Sequence, residues 1–246
     1  MHTLDPAGTP RLDVDGLTVA FGGLTALDDV SFTVRDAEVV ALIGPNGAGK
    51  TTAFNAVCGL VRPRSGSIRI DGLPAPTSTV HLLERGVART LQDLGLFEGM
   101  SVLENVLVPL SSLPGHRDDV TRARAELERF GLLEVAGSHV EALPHPDRKR
   151  VALARALVTR PRLLLLDEPA GGLGPDDIAA LTDAVRAVVS DGCAVLLVEH
   201  HVDFVMDVAD RVVVLDFGRV VACGTPDEVR SDPAVEAAYL GLEAAR

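Results

Sequence analysis

The sequence predicts an α/β fold whose central sheet holds a ligand at the ends of its strands. Three stretches carry that prediction. Gly44-Pro45-Asn46-Gly47-Ala48-Gly49-Lys50-Thr51-Thr52 has the Gly-x4-Gly-Lys-Thr spacing of a phosphate-binding loop, between the apolar run Val39–Ile43 and a helical stretch from Thr51 to Leu60. Arg162–Pro169 places four leucines ahead of two adjacent acids, Asp167 and Glu168. Ala194–Val198 is another apolar run and ends at Glu199-His200-His201. Short runs of this kind, without alternation, are strands buried on both faces. Ligands in such sheets bind at the carboxyl ends of the strands.

The loop chemistry follows from the residue types. Glycine lets backbone N–H groups converge on phosphate oxygens, and the start of the following helix adds positive potential. Lys50 is expected to reach the β- and γ-phosphates, and the Thr51 hydroxyl to face Mg²⁺. All nine residues from Gly44 to Thr52 are candidate nucleotide contacts. Lys50 is one of only two lysines in a chain that otherwise uses arginine, the other being Lys149. Asp167 and Glu168 fit a Mg²⁺-holding carboxylate and a water-activating one.

In chain order, residues 1–10 read as a frayed, polar tail with neither a basic start nor an apolar stretch, so no signal peptide is expected. Leu12 to Phe32 is β-structure broken by a turn at Phe21-Gly22-Gly23. Pro63 to Gly66 is a turn, and Ser67 to Asp71 alternates as a half-buried strand. Leu73 to Thr79 is a loop, Leu82 to Gly86 a short helix, and Val87 to Leu91 a strand ending at Gln92. From Leu94 to Arg160 the periodicity is helical. Ser101 and Glu104 form a capping-box pair at the start of a helix through Val108, and further helices cover Val120–Phe130 and Val151–Leu157. Such a block between strands reads as an inserted helical subdomain. Ile178–Val189 is a helix, Val212–Leu215 and Val220–Ala222 a final strand pair, and two short helices end the chain.

Composition narrows the function. The chain has 246 residues, is 47% hydrophobic but only 3% aromatic, and carries a net charge of −12, which argues against a nucleic-acid footprint. Three widely spaced cysteines suit reduced thiols rather than disulfides or a metal site. No apolar run approaches the roughly 20 residues of a membrane span, so a membrane is expected to be reached only through a partner.

These motifs, in this order, resemble the ATP-binding subunit of ABC transporters over Leu12 to Leu242. In that resemblance Gly44–Thr51 corresponds to Walker A, Gln92 to the Q-loop, Leu163–Glu168 to Walker B, Gly172-Leu173-Gly174-Pro175 to the D-loop and His200 to the H-loop. It implies a P-loop NTPase of the ABC type: a RecA-like core at 11–92 and 161–246 with an antiparallel β subdomain, and a helical subdomain at 93–160. It implies that Glu168 is the general base, that His200 contacts the γ-phosphate, and that Gln92 serves Mg²⁺ and water and senses the permease. Phe21 becomes a platform for adenine. The implied cofactors are ATP and Mg²⁺. The implied partners are membrane permease subunits, a second ATP-binding subunit and, indirectly, an extracytoplasmic substrate-binding protein, with the chain at the cytoplasmic face of the membrane. Phe21–Leu27, Arg89–Gln92 with Leu96-Phe97 and Met100–Asn105, Val198–His201 and the tail Ala238–Gly241 are similar to branched-chain amino acid importers. ATPases for urea uptake or lipopolysaccharide export share much of this pattern.

One stretch departs from the family. Where its signature reads Leu-Ser-Gly-Gly-Gln, this chain has Leu143-Pro144-His145-Pro146-Asp147, followed by Arg148-Lys149-Arg150. Proline has no N–H to offer a phosphate, and Asp147 adds a like charge. A heterodimer with one active and one weak site is therefore expected, and a regulatory subunit with little turnover of its own is the alternative.

Overall fold

The computed structural model describes residues 9–113 and 118–243, with side chains up to residue 238. Residues 1–8 of the expected tail, residues 114–117 and residues 244–246 lie outside the described residues. Two sheets organise the chain. The smaller is antiparallel, in the order β2-β1-β4-β5, with β1 at Leu12–Phe21, β2 at Leu24–Val34, β4 at Ser65–Ile70 and β5 at Leu73–Pro74. β1 alternates Leu12, Val14, Leu17 and Val19 inward, which gives it one wet face.

The larger sheet has the order β10-β9-β3-β8-β7-β6. Its strands are β3 (Val39–Ile43), β6 (Val87–Arg89), β7 (Leu163–Asp167), β8 (Ala194–Val198), β9 (Arg211–Asp216) and β10 (Arg219–Gly224). All neighbours are parallel except β10 on β9. Every residue of β3 and β8 is buried, as expected for strands covered on both sides.

Successive residues of these strands feed opposite faces, following the two-residue period of a strand. Val40, Leu42, Leu165 and Leu196 pack with β1, β2 and Phe54 of α1 (Lys50–Val57). Ala41, Leu164, Leu166 and Leu197 pack beneath α5 (Pro175–Ser190) and α6 (Val202–Val208). A third cluster joins α2 (Val102–Leu107), α3 (Asp119–Arg129) and α4 (His145–Leu157). α4 serves two clusters: Leu153 and Leu157 face the sheet, while Val151 and Ala154 face α2 and α3. Helices α7 (Pro226–Arg230) and α8 (Pro233–Glu243) close the chain.

Boundaries moved where local chemistry overrode the pattern. The helix after the phosphate loop stops at Val57, because the chain turns at Cys58-Gly59, where Gly59 has φ 71°. The strand expected to reach Leu91 ends at Arg89. Thr90 still donates its N–H to Leu165 O, and Gln92 lies in a turn. The 82–86 helix is a pair of 3-10 turns, Thr79–His81 and Leu83–Arg85. The capping box forms as expected: Ser101 Oγ accepts from Glu104 N, and Glu104 Oε2 accepts from Ser101 N at 2.7 Å. Among the described residues no helix is long and apolar enough to cross a membrane.

Candidate active site

Four strand ends meet along one edge of the large sheet. β3 delivers the phosphate loop, and its neighbours β8 and β7 deliver Glu199-His200 and Asp167-Glu168. β6, beyond β7, leads into Gln92. The loop is tightly wedged. A Cβ on Gly44 would lie 2.1 Å from Leu215 O of β9, and one on Gly49 (φ 104°) would lie 2.7 Å from Ala26 O of β2. Only glycine fits either place. Lys50 opens α1 and folds back over the loop, donating to Gly44 O at 2.6 Å and Pro45 O at 3.0 Å. It is 7% exposed, and burial lowers its pKa while the Glu168 carboxylate opposes that shift. Thr51 is exposed at the mouth of the loop.

Glu168 is the hub of the opposite wall. Its backbone is left-handed, with φ 47°. Gln92 Nε2 donates to its Oε2 at 3.1 Å, and His200 Nδ1 stands 3.7 Å from its Oε1. Burial raises the pKa of Asp167, and the nearby carboxylates Glu168 and Glu199 add to the shift against Arg89. This excess of negative charge, with the Gln92 amide beside it and the Thr51 hydroxyl exposed at the phosphate loop, suits a hard divalent cation bound through oxygen. Among the described residues no group of three or more His, Cys, Asp or Glu is placed to hold a metal alone. A hydroxyl, an amide oxygen and a carboxylate are hard oxygen donors of the kind that fit Mg²⁺, which takes few protein ligands and is completed by phosphate oxygens and water.

The structure thus brings Lys50, Gln92, Asp167, Glu168 and His200 to one edge. Phe21 stands apart from them at the β1–β2 turn, 52% exposed, with its backbone paired to Leu24. Three supporting residues were not singled out from the sequence. Glu199 is fully buried, and its carboxylate accepts from Ala170 N (2.7 Å), His200 N (2.8 Å) and His201 N (3.0 Å), which sets the direction of His200. Lys149 Nζ donates to Pro169 O at 2.8 Å and Glu168 O at 3.3 Å. Arg155 donates to both Leu94 O and Gly95 O at 2.6 Å. The rarity of lysine was the one signal that could have pointed to Lys149.

Residues 27–171 match the ABC transporter family model, and residues 219–245 match that of the branched-chain amino acid ATP-binding cassette transporter. The high-affinity branched-chain amino acid transport ATP-binding protein LivG of Salmonella typhimurium is 40% identical over 254 residues, covering 94% of this chain and 98% of LivG. BraF of Pseudomonas aeruginosa, which carries the same description, is 40% identical over 252 residues at the same coverage. The crystal structure of a nucleotide-free ATP-binding cassette from an ABC transporter superposes with a TM-score of 0.86 at 29% identity, over 94% of this chain and 99% of that one. The chain belongs to the ABC transporter family. It is a transport ATPase of that family and binds ATP.

In this ABC ATPase the segment Leu143–Asp147, where the family resemblance expects the signature, starts α4. Pro144 is the N-cap and Pro146 lies in the first turn, where a missing N–H costs the helix nothing. His145 lies beside the D-loop: a Cβ on Gly172 would be 3.5 Å from its Cε1. Asp147 is not a bare charge. Arg150 bonds it at 3.1 Å and Asp177 of α5 at 2.8 Å, so the expected repulsion of phosphate is smaller than an unpaired carboxylate would give. Between α4, α5 and the end of β7 runs a cleft of about 490 Å³, walled by Leu91, Gln92, Lys149, Leu153, Glu168 and Leu181 among others. The phosphate loop is not part of it, so it opens behind Glu168 rather than over the nucleotide.

Proposed function

We propose that this ATPase powers uptake of branched-chain or related small amino acids, as the ATP-hydrolysing member of an asymmetric pair bound to a membrane permease. The placement of Glu168 between Gln92 and His200, with Lys50 opposite, carries the hydrolytic part. The match of residues 219–245 to the branched-chain family supports the substrate class. Gly44–Thr52 would cradle the phosphates, Phe21 would carry the adenine, and Thr51, Asp167 and Gln92 would hold Mg²⁺. MgATP supplies the phosphoryl group that water attacks. Glu168 would orient that water and take its proton, and His200 would hold the γ-phosphate side. The core at 11–92 and 161–246 would move against the helical subdomain at 93–160, with Gln92 between them. The chain would sit at the cytoplasmic face of the membrane, with an extracytoplasmic binding protein delivering the substrate.

Asymmetry follows from the signature. Each ATP in the family lies between Walker A of one subunit and the signature of the other, so a homodimer would face both nucleotides with Pro144-His145-Pro146-Asp147. Each lost hydrogen bond to a charged acceptor is worth about 1.5–3 kcal/mol. A second ATPase subunit with an intact signature would complete the site built on this chain's Walker A. Pro144 and Pro146 also favour a second reading, a regulatory subunit with little turnover. One experiment separates the two. In the purified complex with both ATPase subunits, Glu168→Gln should abolish nearly all hydrolysis, a loss of about 10²–10⁴-fold for a positioned base. The equivalent change in the partner should spare most of it. Equal losses, or brisk turnover by this chain alone, would refute the asymmetric model. Unchanged turnover in Glu168→Gln would favour the regulatory one.

A further inference from the structure

Phenylalanine is scarce in this chain and is unevenly spent. Phe54 and Phe204 are buried in the core, whereas Phe217 is 88% exposed. It occupies the first position of the two-residue turn between β9 and β10, where Asp216 pairs with Arg219. Phe217 and Gly218 have φ 42° and 78°, the pattern of a type I′ turn, in which Asn-Gly is the favoured pair. A bulky aromatic at positive φ is an outlier. Here it buries almost nothing in return, so packing does not explain it. Outliers of this kind concentrate at ligand contacts.

The turn is fastened to the phosphate loop. Gly218 N donates to Ala48 O at 3.0 Å, and Gly218 O accepts from Asp28 N of β2 at 2.8 Å. A Cβ on Gly49 would lie 3.6 Å from Gly218 Cα. The same strand β2 begins at Leu24, 69% exposed, whose backbone partner is Phe21, 52% exposed. Three exposed apolar side chains therefore stand on backbone that frames one corner of the loop. The neighbouring ligand that offers an apolar, planar face is the base of a nucleotide whose phosphates lie in Gly44–Thr52.

We propose that Phe217 is a second contact for the nucleobase, supplementing Phe21. This rests on the nucleotide reading above. The face of the ring accepts any purine. It therefore strengthens binding without choosing between ATP and GTP.

The test uses the full chain and isothermal calorimetry with ATP, GTP and inorganic tripolyphosphate as probes, together with thermal denaturation. Phe217→Gly should weaken ATP and GTP alike by roughly tenfold, within the range of one base–aromatic stack, and leave tripolyphosphate unchanged. Its melting temperature should not fall, because glycine relieves the positive φ. Phe217→Tyr should restore both nucleotide affinities. A folded Phe217→Gly with unaltered ATP affinity overturns the proposal and leaves the exposed ring to a protein partner. An equal loss of tripolyphosphate also overturns it, since the effect would then run through the phosphate loop. Lys50→Ala separates the two layers of the argument. Loss of ATP binding there keeps the nucleotide reading whatever Phe217 shows, and undiminished ATP binding there removes that reading and this proposal together.

Discussion

Arg155→Ala should loosen the segment that carries Gln92. Both donating nitrogens of Arg155 bond carbonyls at 2.6 Å, Leu94 O and Gly95 O, and its guanidinium lies 5.9 Å from the centre of the Phe97 ring. Leu94 and Gly95 have φ 60° and 56°, so two successive residues are held in left-handed backbone. Arg155 belongs to α4, which makes it a strap between the helical cluster and the Q-loop. A hydrogen bond from a charged donor contributes about 1.5–3 kcal/mol. Both carbonyls regain water once the strap is gone, so the combined loss should be about 2–4 kcal/mol rather than the full sum. Urea denaturation reads the stability, and ATPase assays of the assembled transporter read the coupling. Arg155→Lys should recover about half, because an ammonium lacks the rigid fork that spans two carbonyls. A change below about 0.5 kcal/mol, the usual scatter of surface substitutions, together with normal substrate-stimulated turnover, would refute the strap.

Two further outcomes follow from burial. Glu199→Ala would strand three backbone N–H groups in the interior and should cost at least about 3 kcal/mol of stability, while Glu199→Gln, which keeps an acceptor oxygen, should cost less; equal stability of the two in thermal denaturation would contradict the clamp. Burial pushes the Cys193 thiol up to about 11 from 9.0, so Cys193 should resist a thiol reagent at pH 8, as should buried Cys58, while exposed Cys223 reacts. Because the folded value lies above the unfolded one, this stabilisation is complete below pH 9 and is lost by about 3 kcal/mol as pH rises towards 11. Denaturation midpoints that do not drop across that window in wild type relative to Cys193→Ala would count against it.

The apolar runs at 39–43, 163–166 and 194–198 were legible because a strand buried on both faces needs no alternation, the first leading into the glycine loop and the other two ending on polar residues that fit a ligand edge. What the sequence hid is contact over distance. Nothing local marks Arg155 as the partner of Leu94 and Gly95, about sixty positions away, or says that Arg150 bonds Asp147 and Asp177 together. His200 drew notice through its motif, yet the neighbouring Glu199, which the sequence reading passed over, is the fully buried residue of the two. A carboxylate tolerates such burial only when its oxygens are hydrogen-bonded, and three N–H donors meet that condition. Phe217 escaped because a turn residue reads as solvent-facing, and only the backbone angle shows that its presence carries a cost.

The distribution of intact and altered contacts along α4 bears on whether the signature has simply decayed. Its N-cap and first turn carry Pro144, His145 and Pro146, where the proposed pair would need hydrogen-bond donors facing a nucleotide across the dimer. Beyond that turn the tethers to its own core are all present: Lys149 to Glu168 and Pro169, Arg150 to Asp177, Arg155 to Leu94 and Gly95. These contacts hold Glu168 and Gln92 where hydrolysis on this chain's own Walker A would need them. A subunit released from all catalytic duty would have no physical reason to keep the second set, since each tether orders a long side chain at an entropic cost. Loss confined to the outward-facing turn is what an asymmetric pair requires. This chain would keep the machinery for the nucleotide it binds and give up the part that serves its partner's.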